Sequence, residues 1–100
     1  MGKSIVITGS TRGIGYGLAD AFLARGCSVT INGRSDERVQ SALEGLTARY
    51  GPDHMHGQPG DVSHLETHEM LWHAAVARHG RVDIWINNAG LGHPVQQFEI

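Results

Sequence analysis

Thr8-Gly9-Ser10-Thr11-Arg12-Gly13-Ile14-Gly15 decides the fold, because it joins a short β-branched run to a segment of helical periodicity. The run before it, Ser4-Ile5-Val6-Ile7-Thr8, is continuous rather than alternating, as a strand covered on both faces would be. After it, Ile14, Leu18, Ala21 and Phe22 recur at helical spacing, and Gly26 stands where a C-terminal cap belongs. A strand that turns through glycines into a helix builds an anion site from backbone. Gly9 permits the tight turn, Gly13 lets the chain approach a diphosphate, and Gly15 lets helix and strand come close. The helix N-terminus contributes its unsatisfied amides. The spacing is Gly-x3-Gly-x-Gly, not the Gly-x-Gly-x2-Gly dinucleotide fingerprint, and alone it also describes a turn without a ligand. No lysine follows the glycines, which excludes a phosphate-loop kinase.

Outward from that loop the pattern repeats. Cys27 to Asn32 is a second short β-branched run. Ser35 then caps a helix with Asp36 and Glu37 in its first turn, a face of Val39, Ala42, Leu43 and Leu46, and a stop at Gly51. Met55 to Pro59 is a weaker strand, since its proline removes a ladder donor. Ser63 and Glu66 form a capping box for a third helix with Leu65, Trp72, Ala75 and Val76 on its apolar face, closed by Gly80. Val82 to Ile86 is the fourth strand. Strict β-α-β-α-β-α-β alternation implies an α/β fold, a parallel sheet with helices on both faces.

Composition bounds the function classes. In 100 residues a single small domain buries about 60–70% of its unfolded surface, so the core is thin. Forty per cent hydrophobic and 18% charged residues describe a globular chain, and 14 glycines without triplet period exclude collagen. A net charge of −2 gives no electrostatic footprint for nucleic acid or an anionic membrane. The single cysteine, Cys27, excludes an internal disulfide and fits a reducing, cytoplasmic setting. The apolar run after Met1 is too short for a signal peptide or a membrane span.

Three motifs in register resemble those of the short-chain dehydrogenases/reductases, and the resemblance covers essentially the whole chain. They are Thr8-Gly9-x3-Gly13-x-Gly15, Asp61-Val62 after the third strand, and Asp83-Ile84-Trp85-Ile86-Asn87-Asn88-Ala89-Gly90 on and after the fourth. The resemblance implies a Rossmann-like doubly wound sheet of strand order 3-2-1-4, with a nicotinamide cofactor over the carboxyl ends of the strands. It implies that Gly9, Ser10, Thr11, Arg12, Gly13, Ile14 and Gly15 hold the phosphates and adenosine ribose. Asp61 and Val62 take the adenine, and Asn88, Ala89 and Gly90 floor the ribose and nicotinamide.

Choice of cofactor follows from charge. NAD selection needs a carboxylate at the end of the second strand to accept from the ribose 2′-hydroxyl. That position holds Asn32-Gly33-Arg34-Ser35, with no acid before Asp36 in the following helix. Arg34, with Ser35, is placed to take a 2′-phosphate and Arg12 to add a second positive charge, and in the family such basic pairs go with NADP(H).

The family's catalytic pair, Tyr-x-x-x-Lys, is absent: Tyr16 is followed four residues later by Asp20 and Tyr50 by His54, and the only lysine is Lys3. No catalytic residue is therefore assigned, and residues 1–100 read as the NADP(H)-binding half of a carbonyl or alcohol oxidoreductase whose catalytic half would follow Ile100. The alternative is a non-catalytic nucleotide-binding or interaction module; a flavodoxin-like domain would not need Asn87-Asn88-Ala89-Gly90. An open fourth strand predicts a homo-oligomer, aggregation, or need of further chain. The seven histidines do not suggest a metal, since His68 and His73 point about 140° apart on a helix. Trp72 and Trp85 read as core, and Pro94 as shaping the loop beside the nicotinamide end.

Overall fold

The β-branched run of the first strand folds as expected of a segment covered from two sides: β1, Ser4–Ile7, is buried along its whole length. The computed structural model describes residues 2–89. β1 is followed by α1 (Gly13–Ala24), β2 (Ser28–Gly33), α2 (Asp36–Tyr50), β3 (Met55–Pro59), α3 (Leu65–His79) and β4 (Ile84–Ile86). All strand pairs are parallel, in the order β3-β2-β1-β4. This is the doubly wound, Rossmann-like sheet order that the alternation and the family resemblance imply.

Alternation along the strands divides the core. Ile5, Ile7, Val29, Ile31 and Met55 face α1 and α2, where they meet Ala19, Leu23, Val39, Ala42 and Leu46. Val6 faces the other way and packs with Leu71 and Ala75 of α3. Pro59 sits at the end of β3, an edge strand, where the missing amide is tolerated.

Two helices turn differently from the sequence pattern. In α1 the buried positions are Gly15, Ala19 and Leu23, one residue on from the expected stripe, and Ile14 is 71% exposed. In α3 the sheet-facing residues are Thr67, Leu71 and Ala75, whereas Leu65 and Trp72 are exposed. Trp72 is therefore not a core residue, and Trp85 is only half-buried, stacked on His68 with ring centroids 5.8 Å apart. The reason lies in the sheet: the surface under α3 carries buried Ser4 and Thr30, so little apolar area is available to it. The Ser63–Glu66 capping box does not form either. His64 is the N-cap, without a side-chain cap, and the Ser63 amide donates to Asp61 Oδ1 at 2.9 Å. The other ends follow the sequence: Ser35 Oγ accepts from the Arg38 amide at 3.1 Å, and Gly26, Gly51 and Gly80 take positive φ past the helix ends.

Candidate functional site

Gly9 is the pivot of the site. Its φ of +60° follows from the turn out of β1, and a Cβ there would lie 2.8 Å from Ala89 Cα. Its amide donates to Asn32 Oδ1 at 3.1 Å, and its carbonyl accepts from Asn88 Nδ2 at 2.9 Å. Asn32 is buried and also donates through Nδ2 to the carbonyls of Gln58 and Gly60, at 3.1 and 3.2 Å. One amide side chain thus ties together the loops after β1 and β3. Thr8 does the same toward β4, its hydroxyl accepting from the Ala89 amide at 3.1 Å. Asn32 was not among the sequence candidates; its only signal was a polar residue inside a β-branched run.

A cleft of about 1000 Å³ opens over these strand ends. Gly9, Thr11, Arg12 and Gly13 line one side, Gly33, Arg34 and Ser35 the next, and Asp61, Val62, Asn88 and Ala89 the remainder. Ser10 is fully buried behind the loop, its hydroxyl donating to the Ile7 carbonyl at 2.7 Å and accepting from the Asn32 amide at 2.9 Å. Gly15 also lies behind, where a Cβ would meet Gly9 O at 2.5 Å, and Ile14 is not part of the lining. Gly90 and Pro94 fall outside the described residues.

The cleft can hold an anion. Gly13 has φ +63° with nothing within 4 Å of a Cβ position, so its backbone is bare toward the opening. No side chain caps the start of α1, which leaves the first-turn amides and the positive end of the helix dipole to a ligand. Among the described residues that line the cleft, the charged ones are Arg12, Arg34, Arg38 and Asp61. Arg38 was missed in the sequence; the Ser35 cap, which fixes where α2 starts, places it on this side. Ser63, through its amide first and its hydroxyl second, holds the Asp61 carboxyl below the usual range, with smaller contributions from Arg34 and His64. Arg34 Nη2 lies 3.4 Å from Asp61 Oδ2, and His64 Nε2 4.0 Å from it. Behind Val62, His68 Nε2 contacts its carbonyl at 2.8 Å. Among the described residues no cluster of metal-ligating side chains forms, and no helix is long and apolar enough to cross a membrane.

A cleft built on a glycine turn, a helix N-terminus and the ends of four parallel strands is a dinucleotide-site architecture. The chain belongs to the short chain dehydrogenase family, whose profile it matches over residues 3–100. It is 45% identical over 87 residues to chlorophyll(ide) b reductase NOL, chloroplastic, of Oryza sativa subsp. japonica, covering 87% of this chain and 25% of that protein. It is 41% identical over 91 residues to 3beta-hydroxysteroid dehydrogenase 1 of Eggerthella lenta, covering 90% and 34%. Among solved structures, L-sorbose reductase of Gluconobacter frateurii, complexed with NADPH and L-sorbose, superposes with a TM-score of 0.82 at 31% identity, covering 89% of this chain and 34% of that one. The chain thus spans about a quarter to a third of the length of these relatives.

Proposed function

We propose that these 100 residues are the cofactor-binding half of an NADP(H)-dependent oxidoreductase that interconverts carbonyl and alcohol groups of a small molecule in the cytoplasm. The observation that carries this reading is the set of Arg12, Arg34 and Arg38 around a cleft whose β2 end bears no carboxylate. A 2′-phosphate needs such a cationic wall, whereas a 2′-hydroxyl needs an acceptor. Bound here, the cofactor would supply or take the hydride. The chain's own residues would position it: the bare backbone at Gly13 and the open amides of α1 take the diphosphate, Asp61 and Val62 wall the adenine, and Asn88 and Ala89 carry the ribose and nicotinamide end. Proton transfer falls to residues this sequence does not contain. The NADPH-bound sorbose reductase supports the cofactor assignment by likeness.

Binding of 2′,5′-ADP and 5′-AMP to the full chain tests it, since these differ only in the 2′-phosphate. The bisphosphate is expected to bind at least about tenfold tighter, given that a hydrogen-bonded ion pair is worth about 1.5–3 kcal/mol. Arg34→Ala should lose most of that preference, and equal affinities in the unaltered chain would refute NADP(H) selection.

A further inference from the structure

We propose that Asp61 sets the strength of 2′-phosphate selection by sharing the Arg34 guanidinium, so that the chain discriminates less than its arginines would allow. The inference rests on the cofactor reading above and adds a residue to it. Arg34 stands just after β2 and Asp61 shortly after β3, and their ion pair of 3.4 Å bridges the two loops along one wall of the cleft. The carboxylate is fixed in place, because its other oxygen accepts from the Ser63 amide at 2.9 Å. Arg34 is not: its side chain is 82% exposed and has no second carboxylate partner among the described residues. A phosphate arriving at Arg34 must therefore draw the guanidinium from a stationary anion, or bind with that anion nearby. Either way part of the arginine's attraction is already offset. The two other cationic side chains of the cleft, Arg12 and Arg38, have no such partner among the described residues.

The test compares 2′,5′-ADP with 5′-AMP, because any contact of Asp61 with adenine affects both and cancels in the ratio of their affinities. Asp61→Asn removes the charge and keeps an oxygen for the Ser63 amide, and Asp61→Ser serves as a second variant should the first fold poorly. The ratio is expected to rise about two- to fivefold in either variant, the range of an exposed ion pair. In an Arg34→Ala background the same change should leave the ratio within about 1.5-fold, since the effect runs through Arg34. An unchanged ratio in both Asp61 variants overturns the proposal, as does an equal rise with and without Arg34. If the unaltered chain prefers 2′,5′-ADP and Arg34→Ala leaves that ratio untouched, the proposal fails while NADP(H) selection stands on Arg12 and Arg38; equal affinities in the unaltered chain remove both.

Discussion

At the residue scale the site is held by contacts to backbone rather than between charged side chains. Gly15 shows the tolerance: a Cβ there would lie 2.5 Å from the Gly9 carbonyl oxygen and 2.6 Å from Asn88 Nδ2, so α1 must move away from the loop. Gly15→Ala is expected to destabilise the chain by about 1–3 kcal/mol in urea unfolding and to weaken nucleotide binding in parallel. Asn32→Leu keeps the volume and removes the bonds to the Gly9 amide and the Gln58 and Gly60 carbonyls. The expected cost is about 2–4 kcal/mol by the same measurement, because three backbone groups lose their partners. The glycines were legible in the sequence because a turn into a helix restricts φ locally. Asn32 was not, since its role depends on Gly9, Gln58 and Gly60, which lie 23, 26 and 28 residues away. Neither was the pairing of Arg34 with Asp61, which lie 27 residues apart and meet only once β2 and β3 are side by side.

At the scale of elements, strands, helices and their order followed from periodicity, while the rotation of α1 and α3 did not. A helical pattern reveals that a face is apolar, but the neighbouring sheet selects which residues are covered. Thr67 packs directly against Gly60, where an added Cβ would lie 2.7 Å from Thr67 Cγ2. Leu71→Ala should cost about 2–4 kcal/mol and Trp72→Gln less than about 1 kcal/mol by denaturant unfolding; the reverse order would mean that α3 faces the sheet as its sequence suggests. The far end of α3 supplies a pH dependence. Burial first, and Arg78 second, hold the half-buried His56 and His79 below the ordinary histidine value. The unfolded chain, titrating near about pH 6.5, then takes up more protons than the folded one. Stability is full above that pH and falls as acid is added below it. Unfolding midpoints at pH 7.5 and 5.0 should differ, and His79→Gln should narrow the difference.

For the whole molecule, β1 lies at the centre of the described sheet, and β4 pairs only with β1 among the described residues. Ile84 keeps 37% of its surface exposed, and Trp72 and Val76 of α3 are exposed as well. Sedimentation of the full chain at micromolar concentration is expected to show dimers or larger species, and a monomer that melts cooperatively would contradict this. The amino-acid sequence by itself determined the fold class, the strand order through a recognised set of motifs, and the position of the glycine turn between β1 and α1. These depend on local backbone preference and on residues close together in the chain. Only the tertiary structure decided which faces of α1 and α3 are buried, that Asn32 joins the loops, that Arg38 reaches the cleft, and that Asp61 shares Arg34. Each is a contact between segments distant in sequence, and such contacts are set by how parallel strands align, which no local pattern records.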